Sequence, residues 1–206
     1  MDQHLIKKNE LEITPSIWES CEDLTHPDLQ IRREGIQRLV ETRAARYSPL
    51  VAFILATKLT DPDLSFRTYT AKILADVIDS DSQGQLPSEV VRVTLINHLA
   101  QMRTRQIFSL LQVADYDPST TIQVARLIGA CSFAGKHLLD ILTNRDAPIS
   151  IRQNAVRFIG LIGYSDTAQG LDRLLCRIEA RINHQTESEG EASLIPLIKE
   201  TLSLIG

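Results

Sequence analysis

The sequence predicts an all-α chain, an α-α superhelix of about four to five stacked helical pairs. Three observations predict it. Chain breakers are sparse, with nine glycines and eight prolines among 206 residues, and aromatics make up only 5%, which suits helices better than a many-turned sandwich or barrel. Five prolines, Pro27, Pro62, Pro87, Pro118 and Pro148, recur at spacings of 35, 25, 31 and 30 residues, each just before a long run of helical periodicity. A missing N–H costs little at a helix start, and a period of this size marks an internal repeat. Within the copies the apolar residues fall at helical spacing, as in Ile31, Gly35, Ile36, Leu39 and again in Ile151, Ala155, Val156, Ile159, with no alternating strand pattern anywhere.

Read in order, residues 1–12 form a flexible amino-terminal segment, and 15–25 a short helix that caps the first repeat with Trp18 as its anchor. Repeats then occupy 27–184 within a single domain, 1–206. Superposing Pro27 on Pro62 matches Asp28 with Asp63, Leu29 with Leu64, Ile31 with Phe66, Arg32 with Arg67 and Leu39 with Leu74. A further copy follows Pro148, and a weaker one follows Pro118 through Ile122, Gln123, Leu127 and Ala130. Val124–Gly129 and Ala155–Gly160 are near-repeats of each other. Shorter helical runs, about 49–59, 135–142 and 166–183, lie between the copies, so the unit is helix, turn, helix. One such pair cannot bury its own apolar face; stacking several makes a continuous core.

The stretch 86–114 is irregular. Seven residues, 80–86, separate it from the helix ending near Asp79, and at ~3.4 Å each they span at most about 24 Å. They cannot return the chain to start a parallel helix. Residues 87–114 are therefore read as one long or bent second helix broken near Arg103-Thr104, the alternative being a repeat that has lost a helix. After a polar turn at 186–191, residues 192–205 form an amphipathic carboxy-terminal cap with Leu194, Leu197, Ile198 and Leu202 on one side. A single Lys199 on its polar face is too little charge for a membrane-lying helix.

The runs Asp61–Arg67 and Asp146–Gly163 resemble HEAT repeats of the short type found in phycobilisome lyases. That resemblance, over about residues 27–184, implies an armadillo-like α-solenoid. HEAT units carry an Asp at the turn and an Arg six residues on: Asp61 with Arg67 and Asp146 with Arg152 fit fully, while His26/Arg32 and Asp117/Gln123 fit in one member each. The resemblance implies that Arg32, Arg67 and Arg152 bridge neighbouring repeats through the preceding Asp. It extends to two enzyme groups, bilin lyases and alkylpurine DNA glycosylases. The second needs a basic, aromatic-rich surface, and this chain has a formal charge of −4 and one Trp.

The same charge balance excludes non-specific nucleic-acid binding and a polybasic membrane anchor. No apolar leader is visible in residues 1–12, and the longest strongly apolar stretch, 50–56, is far short of the ~20 residues that span a bilayer. The expectation is a cytoplasmic chain. Cys21, Cys131 and Cys176 show no CxxC spacing and read as packed thiols. The histidines, His4, His26, His98, His137 and His184, fall in five segments without metal-ligand spacing. No nucleophile elbow, P-loop or dinucleotide fingerprint is present, so no catalytic residue, metal or cofactor is expected.

What remains is protein binding, as a scaffold or adaptor working through the solenoid's inner surface, formed by the second helices; a bilin lyase and a structural subunit of a larger complex are the alternatives. Arg173, Arg177 and Arg181 form a stripe beside the apolar face of their helix, away from Asp172 and Glu179. They read either as a solvated face, with Arg181 near the helix end paired to Glu187, Glu189 or Glu191, or as a groove-facing stripe that holds an acidic segment of a protein partner. Phe158 is expected in the core.

Overall fold

A computed structural model describes residues 14–80, 84–183 and 189–206. The expected flexible segment 1–12, His4, His184 and residues 186–188 of the expected polar turn lie outside them, while 189–191, the rest of that turn, are helical. Within the described residues the chain is all helical, with no strand. It divides into two compact units, 1–101 and 102–206, where the sequence reading has one domain.

The first unit holds α1 (Pro15–Asp23), α2 (Leu29–Glu41), α3 (Ala44–Tyr47), α4 (Pro49–Thr57), α5 (Leu64–Ile78) and α6 (Glu89–Ala100). Short polar residues before the apolar runs start these helices. Asp28 accepts the N–H of Gln30, Ser48 that of Val51, Asp63 that of Phe66 and Ser88 that of Val91. Each satisfies one of the donors that a helix start leaves unpaired. The turn between α2 and α3 puts Arg43 in the left-handed region at φ 54°. Helix α1 packs on α2, α2 on α3 and α5, and α4 on α5 and α6. Leu24, Ile36, Leu39, Val51, Leu55, Leu59, Phe66, Leu74, Leu95 and Leu99 are sealed between them.

Trp18 does not anchor α1. It is about half exposed and its indole N–H donates to Glu22 on the same helix; Ile17 and Cys21 face the core instead. Ile17 and Cys21 are four residues apart and share a face, and the indole lies at its flank, about 60° round the helix from Cys21 and about 100° from Ile17.

The second unit holds α7 (Thr104–Tyr116), α8 (Thr121–Gly129), α9 (Ala134–Thr143), α10 (Ile149–Ile162), α11 (Ala168–Asn183), α12 (Glu189–Ala192) and α13 (Leu194–Ile205). The expected break near Arg103-Thr104 is present as the interruption at 101–103. Helix α7 packs on α8, α9 and α10; α8 and α9 pack on α10; α11 packs on α9; and α13 lies across both α10 and α11. Phe158 is 2% exposed, in a core with Leu110, Leu127, Leu138, Leu142, Ile159, Leu171 and Ile178. Gly163, at φ 85°, ends α10 in the left-handed conformation that glycine adopts without strain.

Candidate functional site

Arg32 on α2, Arg67 on α5 and Arg152 on α10 occupy matching helical positions and all three are buried. Arg32 Nη1 donates to the carbonyls of His26 and Pro27 at 2.9 and 3.0 Å. Its Nη2 reaches forward to Asp61 Oδ1 at 3.3 Å, and its guanidinium carbon stands 5.5 Å from the centre of the Phe66 ring, within cation–π range. Asp61 also accepts the N–H of Asp63. Burial pulls the pKa of Arg67 down, against the pull of the Asp61 and Asp63 carboxylates. The Asp63 carboxyl itself lies below its usual range, because the Ser65 hydroxyl and the Phe66 N–H donate to it.

Arg152 corrects the expected pairing with Asp146. Asp146 is exposed, and its backbone N–H donates to the Asn144 side chain. Arg152 Nε donates to the Leu142 carbonyl at 2.8 Å, and its Nη1 meets Glu191 Oε1 at 3.0 Å. Like Arg32, it reaches forward along the chain for its carboxylate. Glu191 is only 5% exposed. Arg145 Nε shares Oε1 at 3.2 Å, while Arg181 Nη1 takes Oε2 at 3.1 Å. Guanidiniums from the α9–α10 connection, from α10 and from α11 thus converge on one carboxylate. Such burial is tolerated because both oxygens are paired. A cavity of about 270 Å³ opens beside the cluster, lined by Arg145, Ala147, Ile149, Arg152, Gly190 and Glu191.

The arginine stripe on α11 accordingly splits. Arg173 and Arg177 are exposed, with Arg177 Nε donating to the Arg173 carbonyl at 3.2 Å. Arg181 is drawn into the Glu191 cluster. On the other flank of α11, Glu179 pairs with Lys199 of α13 at 2.8 Å.

Comparisons with protein-family models, with curated proteins and with solved structures found no match for this chain.

Among the described residues, no group of three or more His, Cys, Asp and Glu stands where it could hold a metal ion, and no helix is long and apolar enough to cross a membrane. Cys21 and Cys131 are buried, and burial raises both thiols. Cys176, read from sequence as packed, is exposed, since it lies on the side of the helix opposite the face that carries Leu171, Leu174 and Ile178. Burial pushes the Tyr164 phenol up to about 12; its O–H donates to the Ile128 carbonyl.

Five of the nine exposed large apolar side chains among the described residues of the first unit stand on α4 and α6, two helices packed on each other. Leu50 and Phe53 point outward from α4, and Val90, Val93 and Ile96 from α6, where Val90 is 64% exposed. At ~100° per residue these positions oppose the buried faces, Val51, Leu55 on one helix and Val91, Leu95, Leu99 on the other. Phe53 stands edge-on to His98, with centroids 5.0 Å apart and planes at 81°. Helix α4 carries no charged residue at all. Sequence reasoning had these residues only as part of an apolar run. Their three-residue spacing on the outer face was the available signal. Glu191 was one of the three acids that the sequence offered to Arg181, ten residues back, and the structure holds that pair; nothing local marks its ties to Arg145 and Arg152, 46 and 39 residues back.

Proposed function

We propose that this chain is a non-catalytic scaffold or adaptor of the HEAT-like α-solenoid kind, binding a partner protein through exposed side chains of the second helices α4 and α6 rather than through the inner surface expected from sequence. The helix–turn–helix order and the packing of like on like, α2 on α5 and α4 on α6, α8 on α10 and α9 on α11, support that reading. The observation that carries it is the apolar face of Leu50, Phe53, Val90, Val93 and Ile96. Single exposed apolar residues are ordinary on any protein, but five on two helices packed on each other are a concentration of the kind that marks an interaction site. With α4 uncharged, the fitting partner segment is itself apolar, a helix laying one hydrophobic stripe along α4 and α6.

Capture from the native cell tests this with Phe53→Ser/Val93→Ser beside the wild type. Both substituted side chains are exposed, so helical content and melting should hold. A partner band that the wild type retains and the double variant loses supports the face as the site; capture that survives the double variant removes it.

A further inference from the structure

We infer that the arginine face of the second unit is a docking site for an acidic peptide segment, and that Glu191 occupies it in cis as a built-in competitor. This site is separate from the apolar face of the first unit. Arg173, Arg177 and Arg181 follow one another at i, i+4 and i+8 on α11, a run of about 12 Å at 1.5 Å per residue. Its far end is the cluster in which Arg145, Arg152 and Arg181 all hold Glu191. The chain therefore already demonstrates what the face recognises, a carboxylate engaged by several guanidiniums at 3.0–3.2 Å. Arginine forks bind carboxylates with this geometry. An extended segment of about four residues, at ~3.4 Å each, is long enough to run from Arg173 to the cluster. Beyond its end lies the cavity lined by Arg145 and Arg152, which has room for one more acidic side chain.

Glu191 sits in α12 with only Ala192 and Ser193 between it and α13, which lies across α10 and α11 through Thr201 Oγ1 on the Val156 carbonyl at 3.3 Å and Lys199 on Glu179. Tethered this way, Glu191 competes at an effective concentration of about millimolar or more. A partner's acidic segment gains the cluster only as Glu191 leaves it, so docking loosens α12 and α13. The apparent affinity falls by the fraction of chains in which Glu191 is out.

The test uses the full chain and a fluorescein-labelled peptide of six glutamates at low ionic strength, read by anisotropy. Glu191→Gln should tighten binding about tenfold or more, and adding Arg173→Gln and Arg177→Gln should remove the gain. In the wild type, millimolar peptide should speed amide exchange in Leu194–Ile205. A folded Glu191→Gln chain that binds no tighter overturns the proposal. So does tightening that is indifferent to Arg173 and Arg177. If Glu191→Gln does not fold, the wild-type exchange arm decides: unchanged or slower exchange in α13 under millimolar peptide sinks the idea. None of these outcomes touches the apolar face, whose own variant leaves α11 intact.

Discussion

Arg32 and Asp61 are both close to sealed from water, at 10% and 7% side-chain exposure, so the pair is worth more broken than made. Asp61→Asn leaves a buried guanidinium without its counter-charge and should cost ~3–5 kcal/mol, measured by urea unfolding. Arg32→Met combined with Asp61→Leu should recover part of that loss, because an apolar pair carries no desolvation penalty. Recovery stays partial, since the His26 and Pro27 carbonyls lose their donor. A cost below ~1 kcal/mol for Asp61→Asn would mean a pair solvated like a surface bridge. His98 offers a second residue-scale check. Burial holds its imidazole below the ordinary His value. As pH falls through about 6.5 the unfolded chain takes up this proton first. The unfolded state binds more protons in the window between that value and the lower folded one, so stability falls as pH drops across it. His98→Gln should flatten that part of the stability–pH curve, and an unchanged slope would assign the titration to another group.

At the scale of the helix, Gly35 decides how closely α1 and α2 approach. A Cβ there would stand 2.8 Å from Asp23 Cβ and 2.9 Å from the Ser20 carbonyl oxygen, and a backbone carbonyl cannot step aside. Gly35→Ala should therefore destabilise, although alanine in an exposed helix interior gains up to ~1 kcal/mol over glycine. Faster amide exchange confined to Pro15–Asp23 is the expected sign; a stabilised protein would show that α1 shifts freely. The helices were legible because they are local. Prolines and capping acids set their starts, and 3.6-residue periodicity set their buried faces, so Phe158 and the Ile151–Ile159 stripe could be placed from spacing alone. Trp18 and Cys176 could not. Trp18 lies at the edge of an apolar stripe and Cys176 on the side opposite one, and in both cases residue type was a poor guide to burial. The Arg152 partner was illegible for a different reason. Side chains at a helix start reach whatever the tertiary fold brings near, and the nearest acid in sequence, Asp146, points to water.

For the molecule as a whole, the core of the second unit is where one truncation reaches furthest. Phe158→Ala should cost ~3–5 kcal/mol, which at ~2–4 °C per kcal/mol lowers Tm by on the order of 10 °C. Calorimetry checks this, and an unmoved melting curve would mean that the cavity collapses without loss. The division into two units was not visible in the proline period, which runs on through Pro87 and Pro118 on either side of residue 101. Periodicity reports the building block; where contacts thin out depends on how each block packs. The forward reach of Arg152 also gives the chain a clock. Its carboxylate partner lies 39 residues later, and at ~5–20 residues per second synthesis needs roughly 2–8 s to deliver it. Throughout that interval Arg152 has the Leu142 carbonyl within reach but not the carboxylate that it holds in the finished chain.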